Sequence, residues 1–220
     1  ILDLHRHTLT LWEWPRLLLS APLKALAIPP SEKLYIVEAD CDRPGEGKFL
    51  SEFLGPEVTI WVSLSKTHSM NFTQPVEQSI AHEFGYFVEN SKQLVIANGD
   101  HELIKNQLNR SRVKNILIYK KNWLDKYKVT KTGTQFTLKN KTYSFNNLLP
   151  EETAYSIAMC FELLNYLNLP TNNFSNFNLP PGRSSIFQGI KNTTIVDSTY
   201  NATPSAMTAI INMFDKLPHQ

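Results

Sequence analysis

Val58-Thr59-Ile60-Trp61-Val62, Leu94-Val95-Ile96 and Ile116-Leu117-Ile118-Tyr119 mark out the stretch that decides the fold. Each is a short, nearly all-apolar run, and the residues between them carry a helical pattern. After Pro75, positions Val76, Ile80, Phe84, Phe87 and Val88 fall on one side of a helix. Proline is tolerated in that first turn because its missing N–H had no helical partner anyway. A second helix is expected near Glu102 to Leu108. Strands alternating with helices at this spacing predict βαβ units and a mostly parallel sheet. The unbroken apolar character of the strands suits a sheet covered on both faces.

Upstream, Leu34-Tyr35-Ile36-Val37 reads as a further strand. Gly45 to Leu54 follows as a helix, with Phe49, Leu50, Phe53 and Leu54 on its apolar face. Downstream the period changes. From Tyr127 to Phe145 apolar and polar residues alternate, with Val129, Phe136, Leu138, Tyr143 and Phe145 as the apolar set. Gly133-Thr134 and Asn140-Lys141 supply turn residues, so the reading is an antiparallel meander with one wet face. An amphipathic helix is expected from Glu151 to Leu167, burying Ile157, Cys160, Phe161, Leu164 and Leu167. Its two leading glutamates complement the helix dipole.

Residues 171–181 are rich in Asn, Pro and Ser and read as a linker between a domain at 1–170 and the beginning of another at 182–220. That second part offers Ser184 to Phe187, the strand Thr194-Ile195-Val196-Asp197 and a helix from Ser205 to Phe214, with Thr203 or Ser205 as its cap. One strand and one helix are too few to bury a core, so the sequence is expected to be a piece of a longer protein.

The bulk composition excludes several classes. Hydrophobic residues make up 42% and charged residues 19% of 220, enough apolar material for a core. A formal charge of +2 without a like-charge block gives no footprint for nucleic acid or an anionic membrane. The apolar run from Leu17 to Ile28 is interrupted by Pro22 and Lys24 and is too short to span a bilayer. Cys41 and Cys160 are far apart with no CxxC, which reads as two idle thiols rather than a disulfide framework. Six Asn-x-Ser/Thr triplets, beginning at Asn71, Asn109, Asn140, Asn173, Asn192 and Asn201, are expected by chance in so Asn- and Thr-rich a chain.

In open parallel sheets, ligands bind where strands end at their carboxyl edge. Glu38 follows the first expected strand, His68 follows the second, and Asn98-Gly99-Asp100-His101 follows the third. A carboxylate and an imidazole on adjacent strand ends suit a divalent cation, with Mg²⁺ or Mn²⁺ as candidates. Ordinary turn hydrogen bonding accounts for the same residue types. Asp197, at a strand end just before a helix N-terminus, is placed to meet a nucleotide.

These segments resemble the Mur ligase family. Glu38 to Glu46 is similar to its strand-end glutamate followed by a Gly-Glu helix start, and Thr67-His68 with Phe72 to its histidine segment. Leu94 to Asp100 resembles a further strand end of the family. Pro181-Gly182-Arg183 and Asp197 to Met207 carry the most weight, in the right order and at the right separation. The form Tyr200-Asn201-Ala202-Thr203-Pro204 looks most like the MurF branch, which adds D-alanyl-D-alanine to a UDP-linked muramoyl tripeptide.

The resemblance implies an α/β central domain with the start of a Rossmann-like C-terminal domain. It also implies an ATP- and Mg²⁺-dependent ligase of peptidoglycan precursor synthesis, working in the cytoplasm through an acyl phosphate. Its partners would be a UDP-linked muramoyl peptide and an amino acid or dipeptide, with neither nucleic acid nor a membrane span involved. On that pattern Glu38 and His68 would be catalytic metal ligands, and Asn98, Arg183 and Asp197 would contact the nucleotide. The departures are equally specific. No Gly-x-x-x-x-Gly-Lys occurs in the sequence, so the family's phosphate loop is missing from it. Ser63 stands where the family has an asparagine, and Phe84 where it has a carbamoylated lysine. Glu152, Thr153 and Ser156 replace a His-Asn pair and a further Asn near the adenine, and Ser198 replaces a second aspartate. A non-catalytic or decayed Mur-like binding module, and a relative of folylpolyglutamate or cyanophycin type, are the alternative readings.

Overall fold

A computed structural model of the chain describes residues 13–27, 34–65, 69–171, 177, 179–200 and 202–217. The chain divides into two compact units, Ile1–Ala39 and Asp40–Gln220. In the first, α1 (Glu13–Ala27) carries Pro22 within it and exposes Leu18, Leu19, Leu23 and Leu26. Its 15 residues extend ~22 Å at ~1.5 Å per residue. Among the described residues no helix is long and apolar enough to cross a membrane.

The expected strand Leu34-Tyr35-Ile36-Val37 does not form. All four residues are exposed and outside any ladder with the described residues. An apolar run becomes a strand only with a paired neighbour and a covering layer, and the described residues supply neither for it.

The second unit opens with α2 (Glu46–Leu54), then β1 (Val58–Trp61), α3 (Val76–Asn90), β2 (Leu94–Asn98), α4 (Glu102–Gln107) and β3 (Lys114–Ile118). The three strands form a parallel sheet in the order β1-β2-β3, with Val58, Leu94 and Lys114 in register. Every residue of β2 is buried, because a central parallel strand is covered on both sides. Its alternation sorts the two cores. Val95 and Ala97 pack with Trp61, Val88 of α3 and Ile104 of α4. Leu94 and Ile96 face the other way, into a larger cluster with Ile118, Phe136, Leu138, Ile157 and Phe161.

That second face is covered by the rest of the chain. A short α5 (Lys120–Trp123) leads into β4 (Leu124–Thr130), β5 (Gly133–Leu138) and β6 (Lys141–Phe145), the expected antiparallel meander. Its β5–β6 turn places Lys139 and Asn140 at positive φ, where asparagine is among the better-tolerated residues. Then α6 (Thr153–Tyr166) lies over the parallel sheet.

Two helix faces differ from expectation. On α2 the buried residues are Gly47 and Ser51, while Phe49 and Phe53 are 65% and 76% exposed. The Gly47 amide donates to the buried Glu83 carboxylate of α3 at 3.0 Å, a close approach that large side chains would prevent. On α6 the buried set is Ala154, Ile157, Ala158, Met159 and Phe161, with Cys160 at the surface. Ala154 and Ala158 let the helix backbone approach the sheet, a preference for small residues that hydropathy does not register.

The remaining elements are β7 (Ser185–Gln188), β8 (Thr194–Asp197) and α7 (Pro204–Asp215). The two strands pair antiparallel, Ser185 opposite Asp197. Thr203 caps α7, its hydroxyl accepting from the Ala206 amide at 3.3 Å, with Pro204 at the first helical position. Ile210 and Met213 of α7 bury themselves against Val129 and Leu148, so this segment packs onto the meander.

Candidate functional site

The carboxyl ends of β1 and β2 meet the first turn of α6 in a cleft of about 290 Å³. Val62, Ser63, Asn98, Glu152, Thr153, Tyr155 and Ser156 line it. Strand alternation explains the place of Asn98: it shares a face with Leu94 and Ile96, the side covered by α6. Its side chain bridges two strand ends. The amide nitrogen donates to the Val62 carbonyl at 3.0 Å, and the amide oxygen accepts from the Asp100 N–H at 2.9 Å. Asn98 thus builds the rim of the cleft with both ends of its amide engaged.

Asp100 carries the network onward. Its Oδ2 accepts the Tyr155 hydroxyl at 2.6 Å and the Lys120 amide at 2.7 Å, so one carboxylate holds three elements at the sheet edge. Burial, helped by this hydrogen bond to Asp100, raises the Tyr155 phenol well above its ordinary value and keeps it a donor. The first amides of α6 are satisfied within the turn: Thr153, Ala154 and Tyr155 donate to the carbonyls of Pro150, Glu151 and Glu152 at 3.0, 3.0 and 3.1 Å. Among the described residues the polar side chains around the cleft are therefore three hydroxyls, a carboxylate, an engaged amide and a phenol, with neither lysine nor arginine in that lining.

Arg183 and Asp197 both lie at one end of the β7–β8 pair, where Ser185 faces Asp197. The Gly182 carbonyl accepts the Tyr200 amide at 3.1 Å, and the Arg183 guanidinium lies 5.0 Å from the centre of the Tyr200 ring. Asp197 Oδ1 accepts both the amide and the hydroxyl of Thr199, at 3.0 and 2.7 Å, which holds its carboxyl below the usual value. Neither Arg183 nor Asp197 is among the residues lining the cleft.

Glu38 stands exposed in the first unit, and His68 lies outside the described residues. Among the described residues no group of three or more His, Cys, Asp and Glu is placed to hold a metal ion. Phe84, where the resemblance puts a lysine, packs its ring 5.9 Å from that of Trp61 in the core. Sequence reasoning missed Tyr155 and Val62 as cleft residues. The signal available was position: Tyr155 lies within the first turn of a helix that starts at a sheet edge.

No family model matches the chain. The UDP-N-acetylmuramoyl-tripeptide–D-alanyl-D-alanine ligase of Escherichia coli (strain K12) is 23% identical over 215 residues, 91% of this chain and 47% of that protein. The chain thus spans about half the length of the curated relative it matches. Among solved structures, the MurF ligase from Thermotoga maritima in complex with ADP matches with a TM-score of 0.74 at 19% identity, over 91% of this chain and 48% of its own. A MurF from Acinetobacter baumannii matches with a TM-score of 0.76 at 14% identity, over 90% and 46%. A G51S mutant of L. casei FPGS is more distant, with a TM-score of 0.52 at 12% identity over 74% and 43%. At such identities the solved structures establish the fold, and the curated match adds a distant likeness in sequence. By both, the chain is similar in fold to MurF ligases and distantly similar in sequence to about half of one.

Proposed function

We propose that this chain is the part of a MurF-like, ATP-dependent carboxylate–amine ligase that receives the nucleoside of ATP. The observation that carries the reading is the cleft at the carboxyl ends of β1 and β2 under the first turn of α6. It lies at the edge where open α/β sheets take ligands, in a fold shared with a MurF ligase solved with ADP. With no lysine or arginine among the described lining residues and its first helical amides already bonded, the cleft suits a neutral base and its sugar better than phosphate. Ser63, Thr153 and Ser156 offer hydroxyls to hydrogen-bond such a group, and Glu152 offers an acceptor for its N–H donors.

ATP supplies the activation in such a ligase: a phosphoryl group passes to a carboxylate, an amine attacks the acyl phosphate, and amide, ADP and phosphate leave. The substrates of the MurF reading are a UDP-linked muramoyl peptide and an amino acid or dipeptide, and its compartment is the cytoplasm. Arg183 and Asp197, fixed at the end of the β7–β8 pair, are assigned to the nucleotide from the C-terminal side. Glu38 and His68 are assigned to Mg²⁺, and the described residues alone do not assemble that site.

Calorimetry with adenosine and ADP tests the cleft. Both should bind with Kd values within a few-fold of each other, at about 1 mM or tighter, and Ser156→Trp should abolish both by filling the space. Failure of either ligand to saturate, or binding indifferent to Ser156→Trp, sinks the reading. One observation favours a second reading, a Mur-like module without ligase chemistry: Phe84 occupies core space where the resemblance calls for a lysine. Alanine at Glu38 and His68 in the full-length protein separates the two, since a ligase loses activity by orders of magnitude and a binding module keeps its partner.

A further inference from the structure

Glu151, the residue before the cleft-lining Glu152, is gripped from two sides. Lys216, at the end of α7, makes an ion pair with its Oε2, and Lys120, just after β3, reaches Oε1 at 3.4 Å. Burial alone would lift the Glu151 carboxyl, but the hydrogen bonds and charges of the two lysines hold it below its ordinary value. Lys216 also lies 5.0 Å from the centre of the Tyr127 ring, and the Tyr127 hydroxyl donates to the Leu149 carbonyl at 2.9 Å. Two ties from Lys216, one direct and one through the Tyr127 ring, therefore converge on residues 149–151, the run that enters α6. The Glu151 carbonyl in turn accepts the Ala154 amide at 3.0 Å, inside the turn that walls the cleft.

We propose that Lys216 is a positioning residue: through Glu151 it sets the first turn of α6, and so couples docking of the segment 182–217 to the shape of the cleft. The inference rests on the cleft being the binding site, but the clasp itself is testable without a ligand. Its strength is modest, because Lys216 is half exposed and water screens an exposed pair. The hydrophobic anchors Ile210 and Met213 hold α7 in either case. Loss of the clasp should therefore loosen the turn without releasing the segment.

Backbone amide exchange of the ligand-free protein, read by mass spectrometry, tests this directly. In Lys216→Met, exchange at residues 152–157 should rise about three- to fivefold while residues 94–98 keep their protection. Lys216→Arg should restore the wild-type pattern. Raising salt to about 0.5 M should loosen the same turn in the wild type and loosen it less in Lys216→Met, where only the Lys120–Glu151 pair is left to screen. An unchanged turn in Lys216→Met, or acceleration shared equally by residues 94–98, overturns the proposal. Adenosine affinity measured alongside separates the two claims. If adenosine fails to bind the wild type, the nucleoside reading falls while the exchange result still decides the clasp. If adenosine binds wild type and Lys216→Met equally well, the coupling falls and the nucleoside reading stands.

Discussion

The Tyr155 hydroxyl donates to Asp100 Oδ2 across 2.6 Å, joining the first turn of α6 to the loop that leaves β2. Because Asp100 also accepts the Lys120 amide, this single contact ties the cleft wall to two strand ends. Removing the hydroxyl in Tyr155→Phe should cost about 1.5–3 kcal/mol, the range for a hydrogen bond to a carboxylate. Urea denaturation followed by circular dichroism measures it, and no loss would mean that water replaces the phenol freely.

The same pair fixes a pH dependence. Burial and the Asp100 bond raise the phenol in the folded protein above its unfolded value of about 10. Protonated Tyr155 therefore stabilises the fold fully below about pH 10, and that contribution is lost as pH climbs toward the raised value. Tyr127, raised first by burial and then by Glu151 and Glu152, acts in the same sense. The urea midpoint should fall between about pH 9 and about pH 11, and less steeply in Tyr155→Phe. Identical slopes in the two proteins would refute the assignment.

Asn98 was legible in the sequence as a strand-end polar residue, but its role was not. The alternation of β2 shows which face it occupies, whereas the bonds to Val62 and Asp100 depend on how far β1 extends beside it. Asn98→Ala should leave the Val62 carbonyl and the Asp100 amide without this partner, at a cost of about 2–4 kcal/mol for two such bonds. A stability within about 0.5 kcal/mol of wild type would show the bridge to be dispensable.

Hydrophobic pattern identified elements better than faces. The all-apolar β2 could be read because both of its sides are covered, and the meander because one of its sides is wet. On α2 the same logic failed: Phe49 and Phe53 follow a helical period, yet Gly47 and Ser51 make the contact because α3 approaches too closely for rings. On α6, Ala154 and Ala158 are buried and Cys160 is not, a choice of small residues that the apolar period did not mark. Leu34 to Val37 failed differently, since pairing is a property of neighbours and not of the run itself. The Lys216–Glu151 tie was out of reach, because its partners are 65 residues apart and neither belongs to a motif.

Two phenylalanines make the contrast measurable. Phe136 is fully buried in the larger core, with rings from Tyr127 and Phe145 5.3 and 6.0 Å away. Phe136→Ala should cost about 3–5 kcal/mol. Phe53→Ala, at an exposed position, should stay within about 0.5 kcal/mol. Denaturant midpoints of comparable loss in both would show that α2 buries its aromatic face in solution.

Cys41 is buried and its thiol is pushed up to about 12, first by burial and then by the negative charges of Glu83, Asp40, Glu46 and Asp42. Since the thiolate is the reactive form, Cys41 should be inert in the folded protein at about pH 8. In a Cys160→Ser background a thiol-disulfide reagent should give no reaction until denaturant is added, then one equivalent. Fast labelling of the native protein would mean that the segment around Cys41 opens readily.

Gly182 sits at φ +76°, where a side chain is strained, and a Cβ there would lie 3.1 Å from the Cβ of Tyr200. Both effects act on the turn that brings Arg183 beside the Tyr200 ring, at the end of the β7–β8 pair where Ser185 faces Asp197. Gly182→Ala should cost about 1–2 kcal/mol locally. The Tyr200 amide, which donates to the Gly182 carbonyl, should then exchange about five- to thirtyfold faster. The hydrophobic anchoring of α7 is independent of this turn, so residues 210–213 should keep their protection. Equal loss at both places would mean that the β7–β8 pair and α7 open as one unit; no loss at Tyr200 would mean that the turn tolerates a side chain, and that Arg183 is not held by it.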